Sequence, residues 1–234
     1  PPLQIQEKIV EVLDKAQELI DLRKKQIELL DKLIESTFYD MFGDPVVNPK
    51  GWEEKQIGDI FEVKTGSTPS RKTKEYWDIQ EVPWVKTNEV NNGVITSTEE
   101  YISFKALKET SVSLFPINTI LIAMYGQGKT RGKVAMLGIE ATTNQACAAL
   151  LPTNKVNVNY MFNYLKVSYE ELRRLGRGGN QPNLNLSLVR NFKVPVPPIK
   201  IQNEFAQKVE KIEETRELMQ ESLDEMEKNY NSLM

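Results

Sequence analysis

Ala123–Thr130 (AMYGQGKT) is the segment whose residue types and spacing come nearest to catalytic chemistry, since it fits a relaxed phosphate-loop pattern with alanine in place of the first glycine. A phosphate loop works by opening a helix whose N-terminal amides face the phosphates. Here the next residues, RGKVAML, hold Gly132 and then a β-like run, so a hairpin loop is expected and nucleotide hydrolysis is not. The remaining composition points the same way. Histidine is absent, which removes the usual base of serine and cysteine hydrolases and most ligand sets for zinc and non-haem iron. Carboxylate and lysine chemistry stay available, so catalysis is disfavoured and not excluded. Cys147 is the only cysteine, which rules out an intramolecular disulfide and a cysteine-rich zinc site. No catalytic residue and no metal ligand is assigned.

The same hairpin suits DNA. Tyr125, Gln127, Lys129, Arg131 and Lys133 sit on or beside a glycine-containing turn, where aromatic, amide and cationic groups can project. Lysine and arginine neutralise phosphates, while glutamine, asparagine or arginine can pair with base edges. A second loop, TGSTPSRKTK (Thr65–Lys74), offers Ser67, Thr68, Arg71, Lys72 and Lys74. Lys86 and Asn88, within VPWVKTNEV, add a cation and an amide. A third loop, RRLGRGGNQPN (Arg173–Asn183), contributes Arg177, Asn180 and Gln181 among glycines that let a backbone approach closely. Any one of these loops reads more simply as a solvated basic turn. Three in one domain of otherwise mixed charge shift the balance toward nucleic acid.

The charge distribution agrees with that division. The 234 residues carry a formal net charge of -3, but residues 1–44 and 197–234 are each at -4, which leaves +5 on residues 45–196. A basic module between two acidic ones suggests that the middle meets phosphate and the ends meet protein or water.

Both ends read as long helices, and they form an internal repeat. PPLQIQEKIVEVLDKAQEL at Pro1 aligns without gaps to PPIKIQNEFAQKVEKIEET at Pro197, with Ile5, Gln6, Lys15 and Glu18 identical to Ile201, Gln202, Lys211 and Glu214. In the second copy Phe205, Val209, Ile212, Met219, Leu223, Met226, Tyr230 and Leu233 follow steps of four and three, broken only at Arg216. That is a heptad seam. The first copy keeps it with Ile9, Leu13, Ala16, Ile20, Ile27, Leu30 and Ile34, broken at Arg23. Prolines before each helix are well placed, because they start helices and cannot continue them. A helix of about 33 residues is on the order of 50 Å long, whereas a domain of this size is roughly 30–35 Å across. An extended antiparallel pair is therefore expected, acting as a rigid spacer, in preference to amphipathic helices laid over the domain.

Between them the pattern changes to short segments punctuated by turns. Strands are expected at Ile60–Lys64, Val82–Lys86, Thr119–Met124, Lys133–Leu137 and Ala146–Leu151, with a helix over Tyr160–Leu175. The fold class is α+β: a globular mixed domain over 45–196, flanked by an antiparallel coiled coil of spacer helices at 1–44 and 197–234.

Taken in order, the PPLQIQEKI helix, FYDMFGDP with NPKGW, GSTPS with EYW and VPWVKTNEV, ILIAMYGQGKTRGKVAML, TTNQACAAL, and RGGNQPNLNLSLVRNFKVPVPPIKIQNEF carry a resemblance over almost the whole chain. It resembles the specificity subunits of type I restriction-modification systems. The resemblance implies a non-catalytic subunit whose target-recognition domain reads half of a bipartite site on double-stranded DNA. It also implies helices that set the spacing and dock methyltransferase subunits, with a restriction subunit as a further partner. S-adenosylmethionine would be bound by the methyltransferase, which flips the target adenine, and ATP with magnesium by the restriction subunit; no cofactor is expected on this chain. A spacer of about 50 Å matches roughly 15 base pairs, a workable separation for two half-sites. The absence of an Asn-Pro-Pro-Tyr or Asp-Pro-Pro-Tyr tetrapeptide fits a reader that borrows its chemistry.

Family members usually carry two recognition domains and this chain has one. Pro1 and Pro2 correspond by the repeat to Pro197 and Pro198, which close a VPVPP segment, so an upstream recognition domain is expected. A natural half-subunit would instead predict a homodimer about a twofold axis, reading a symmetric interrupted site. The alternative function is a coiled-coil adaptor whose central domain binds protein. No run approaches the roughly 18–20 apolar residues of a membrane span and no secretory signal is visible, so a cytoplasmic location is expected.

Overall fold

The structure is a computed structural model that describes residues 2–126, 128–176 and 183–233. Two long helices, α1 (Leu3–Phe42) and α7 (Ile199–Leu233), bracket short strands and helices. Each starts behind a proline whose carbonyl takes the first helical amides: Ile5 N on Pro2 O at 2.9 Å, and Ile201 N on Pro198 O at 2.9 Å. Gly43 (φ +82°) ends α1 in the left-handed conformation that favours glycine at a helix C-terminus, and a Cβ there would lie 2.6 Å from Pro49 Cγ.

The chain divides into two compact units, 1–41 with 204–234 and 42–203. In the helical unit Lys24 pairs with Glu227 at 2.7 Å, Arg216 donates to Asp31 at 2.8 Å, and Phe38 meets Phe205 edge-on with ring centroids 5.6 Å apart. Rising numbers on one helix meet falling numbers on the other, so the pair is antiparallel. The seam of α7 (Phe205, Val209, Ile212, Arg216, Met219, Leu223, Met226, Tyr230) is buried or half-buried throughout, as is that of α1 from Leu13 onward. Arg216, which interrupts the heptads, is the residue that bridges to Asp31. Ile9 departs from expectation at 47% exposed. By the register of the three cross-helix contacts, α7 ends before it reaches that level of α1.

The other unit is α+β, with three sheets among the described residues. The central one has five strands in the order β2 (Val63–Thr65), β9 (Cys147–Leu150), β6 (Ile120–Ala123), β7 (Val134–Leu137), β4 (Val94–Ile95). β3 (Val82–Val85) lies between β5 (Glu100–Ile102) and β8 (Thr142–Thr143), and β1 (Glu54–Gln56) pairs with β10 (Lys193–Pro195). β6 and β9 are buried at every position, because both faces of the central sheet are covered. Helices α2 (Ile57–Ile60), α3 (Phe104–Glu109), α4 (Val158–Val167), α5 (Tyr169–Leu175) and α6 (Leu186–Asn191) complete the unit.

Four expected strands are present within a residue or two of their predicted bounds. At Ile60–Lys64 the chain is instead helical to Ile60 and extended only from Val63, since Ile57 and Ile60 turn inward at helical spacing. The single helix expected over Tyr160–Leu175 is two, meeting at buried Ser168. α4 is capped by Asn157, whose side-chain oxygen accepts from Asn159 N and Tyr160 N. On α4, Tyr160 is fully buried, packs on Phe42 at 4.7 Å and donates to Pro195 O at 2.8 Å. Burial pushes its hydroxyl pKa well above the ordinary tyrosine value.

Candidate nucleic-acid interface

The strand pairings bring the candidate loops to one end of the central sheet. β2 runs antiparallel to β9 with Thr65 opposite Ala148, and β6 runs antiparallel to β9 with Ala123 opposite Cys147. The loop after β2, the loop after β6 and the segment before β9 therefore emerge together. β7 pairs with β6 through Val134 and Ile122, and β4 runs parallel to β7, so Lys133 and the Asn91–Asn92 turn join the same end. β3, parallel to β8 with Val85 beside Thr143, delivers Lys86–Glu89 there.

Hydrogen bonds stitch these segments to one another. Gly66 passes so close to the backbone of Thr143 that a Cβ would sit 1.9 Å from its carbonyl oxygen, and Ser67 N donates to that same oxygen at 2.9 Å. Thr68 Oγ1 donates to Gln145 Oε1 at 2.7 Å, and Thr87 Oγ1 to Asn144 Oδ1 at 2.8 Å. Met124 N donates to Ala146 O at 2.8 Å, and Met124 O accepts from Leu184 N at 3.0 Å. Thus Leu184, just past the Arg173–Asn183 loop, returns to the start of the 124–133 hairpin.

The 124–133 segment is the hairpin loop expected from its glycines. Gly132 N and Ala123 N close it at 2.9 Å onto Ala123 O and Lys133 O, and a strand follows in the place of the helix a phosphate loop requires. Tyr125 is 40% exposed, and Lys129 is exposed with its ammonium unpaired among the described residues. Arg131, expected to project, is instead only 7% exposed. Its main chain is gripped from behind by α5: Arg173 Nη1 donates to Arg131 O at 3.1 Å. Lys133 is half-buried and its ammonium donates to Asn91 Oδ1.

In the Thr65–Lys74 loop Ser67 Oγ meets Ser111 Oγ at 2.9 Å, and the Arg71 guanidinium lies 3.5 Å over the Trp77 ring while pairing with Glu100 at 2.6 Å. Lys72 and Lys74 are exposed without ion-pair partners among the described residues. Lys86 is held by Glu99 at 2.5 Å and Glu100 at 3.4 Å, and the hydrogen bond it donates to Glu99 raises its pKa. Asn88 is exposed. Gln127, Arg177, Asn180 and Gln181 lie outside the described residues.

Sequence reasoning passed over Asn91, Asn92, Asn144 and Gln145. The last two sit in TTNQACAAL, a run of polar residues directly before an apolar strand, which was a usable signal. Gln145 is exposed, and with its carbonyl oxygen taken by Thr68 it turns an amide N–H2 outward as a donor. This sheet end thus gathers amides, hydroxyls, an aromatic ring and a free ammonium, groups that bind phosphate oxygens and base edges. Among the described residues no three acidic or thiol groups gather into a metal site, and no helix is long and apolar enough to cross a membrane.

A family profile described as type I restriction modification DNA specificity domain matches residues 49–228. The chain is 27% identical over 225 residues to the specificity subunit of the type I restriction enzyme EcoR124I/EcoR124II of Escherichia coli, across 90% of this chain and 52% of that protein. It is 35% identical over 164 residues to the MjaIX specificity subunit of Methanocaldococcus jannaschii, across 68% of this chain and 37% of that protein. The chain spans about half or less of the length of these relatives. Its fold is that of a solved type I restriction-modification S subunit from M. genitalium, with a TM-score of 0.66 at 18% identity over 99% of this chain and 60% of that one. The HsdS subunit from Thermoanaerobacter tengcongensis superposes at a TM-score of 0.62 and 16% identity over 100% of this chain and 57% of that one.

Proposed function

Because the chain belongs to the type I restriction-modification DNA specificity family, we propose that it reads one half of a bipartite DNA site and holds methyltransferase subunits there, with no chemistry of its own. The observation that carries this reading is the convergence of the 65–74, 86–92, 124–133 and 142–146 segments on one end of the central sheet. No single strand could present so many donors at once. The antiparallel pair of α1 and α7 is the natural dock for methyltransferase subunits and sets the distance to a second half-site. S-adenosylmethionine belongs to the methyltransferase and ATP with magnesium to the restriction subunit; the loop around Lys129 opens no helix and so lacks the amide cradle a triphosphate needs. The work is cytoplasmic, where the chromosome lies.

The test is co-purification with the methyltransferase encoded beside it, followed by mapping of methylated adenines in the genome. The expected result is a stable complex and a single interrupted motif. A stable complex with an unmethylated genome would overturn the reading.

A further inference from the structure

We propose that Tyr169 and Arg173 are positioning residues that fix the Tyr125–Lys133 loop for sequence discrimination, an inference that rests on the DNA-reading function above. Three glycines make the loop costly to hold in one shape. Gly126, Gly128 and Gly132 take φ values of +142°, +65° and +86°, and glycines lose the most conformational freedom when a loop is ordered. A reading loop left loose would have to order itself on every site, and it could settle on a wrong base pair almost as well as on the right one.

Helix α5 supplies a grip on this loop, from Tyr169 at its start and Arg173 in its last turn. The Tyr169 hydroxyl donates to Lys129 O at 2.7 Å and accepts from Arg173 Nη1 at 2.7 Å. The same Arg173 nitrogen donates to Arg131 O at 3.1 Å, and its guanidinium lies 5.2 Å from the Tyr169 ring centroid. The arginine orients the hydroxyl, so the single hydroxyl proton is aimed at Lys129 O. Gly132 completes the fit: a Cβ there would come within 2.9 Å of Arg173 Cγ, so the loop lies directly on the helix. Leu172, fully buried between the two, anchors α5 in the core.

Both bonds to the loop, from Tyr169 to Lys129 O and from Arg173 to Arg131 O, end on carbonyls and leave the exposed Lys129 and Tyr125 side chains uninvolved. Tyr169 and Arg173 therefore touch the loop's main chain and act on recognition through it. Holding a binding loop in its working shape lowers the cost of ordering it and sharpens discrimination.

The experiment uses the full chain in complex with its methyltransferase subunits, as wild type, Tyr169→Phe, Arg173→Lys and the double variant. Each complex methylates a library of randomised duplexes, and thermal melting is recorded alongside. Tyr169→Phe removes one oxygen and leaves the ring in place. Discrimination at one base-pair position, ordinarily roughly 5- to 150-fold for a single mismatch, is expected to fall about threefold while the preferred site stays methylated and the melting temperature holds. The double variant is expected to match the worse single one, because both act through one chain of hydrogen bonds. An unchanged motif in both single variants would overturn the proposal. So would a uniform loss of methylation that tracks a fall in melting temperature. A wild-type complex that marks no defined motif would overturn the DNA-reading function itself, and the clamp with it.

Discussion

Arg71 donates to Glu100 across 2.6 Å, and the other carboxylate oxygen of Glu100 lies 3.4 Å from the ammonium of Lys86. One acidic side chain thereby touches two cations: it is the ion-pair partner of Arg71 and the more distant of the two on Lys86, whose shorter bond is to Glu99. Arg71 is half-exposed, and ion pairs in such settings are worth only about 0–1 kcal/mol. A phosphate can take the carboxylate's place at little cost.

Glu100→Gln should therefore tighten non-specific DNA binding while moving stability by less than about 1 kcal/mol. Releasing Arg71, while Lys86 stays paired with Glu99, should steepen the salt dependence of affinity by roughly one phosphate contact. Anisotropy titrations at several salt concentrations measure both, and a flat response would mean that Arg71 never meets phosphate.

Lys129 and Arg131 stand two residues apart on the same loop and should behave differently. Lys129→Ala removes an exposed, unpaired charge, so DNA affinity falls, the salt slope drops by about one, and melting is unchanged. Arg131→Ala empties a buried position and should cost about 1–3 kcal/mol of stability by denaturant titration. Equal effects from the two would contradict the burial of Arg131.

Gly66→Ala places a methyl group 1.9 Å from Thr143 O, a contact that only backbone movement can relieve. A destabilisation of about 1–3 kcal/mol is expected, together with weaker DNA binding, because Ser67 and Thr68 are held by the segment that would have to move. A stable variant with native affinity would show that the two strands need not approach so closely.

Phe205 is fully buried and meets Phe38 edge-on at the heart of the helical pair. Phe205→Ala should cost about 3–5 kcal/mol, read as a lowered denaturation midpoint. Methyltransferase binding should weaken in parallel if the pair is the dock.

Much of the fold was legible wherever neighbours along the chain settle the structure. The heptads of α7 are buried as spaced, and the strands flanking the 124–133 glycines pair as a hairpin. The misreadings have local causes too: at Ile57–Ile60 a single helical turn, IGDI, runs directly into the segment read as a strand, and Ser168 divides a stretch that periodicity joins. β1, β4, β5, β8 and β10 were missed because strands of two or three residues carry almost no period.

Residue type and spacing were enough to mark which loops hold cations and amides, where the long helices run and which half-familiar motif lacks its helix. They could not say which cations are free, because Glu100 lies about thirty residues from Arg71 in sequence and Glu99 thirteen from Lys86. Nor could they place Gln145 beside Thr68, or Tyr169 beneath Lys129, since those meetings depend on β2 pairing with β9 and on α5 returning under the hairpin. Charge and periodicity are properties of the chain read locally. Exposure, pairing and the aim of a side chain belong to contacts between distant segments, and these exist only once the sheet has closed.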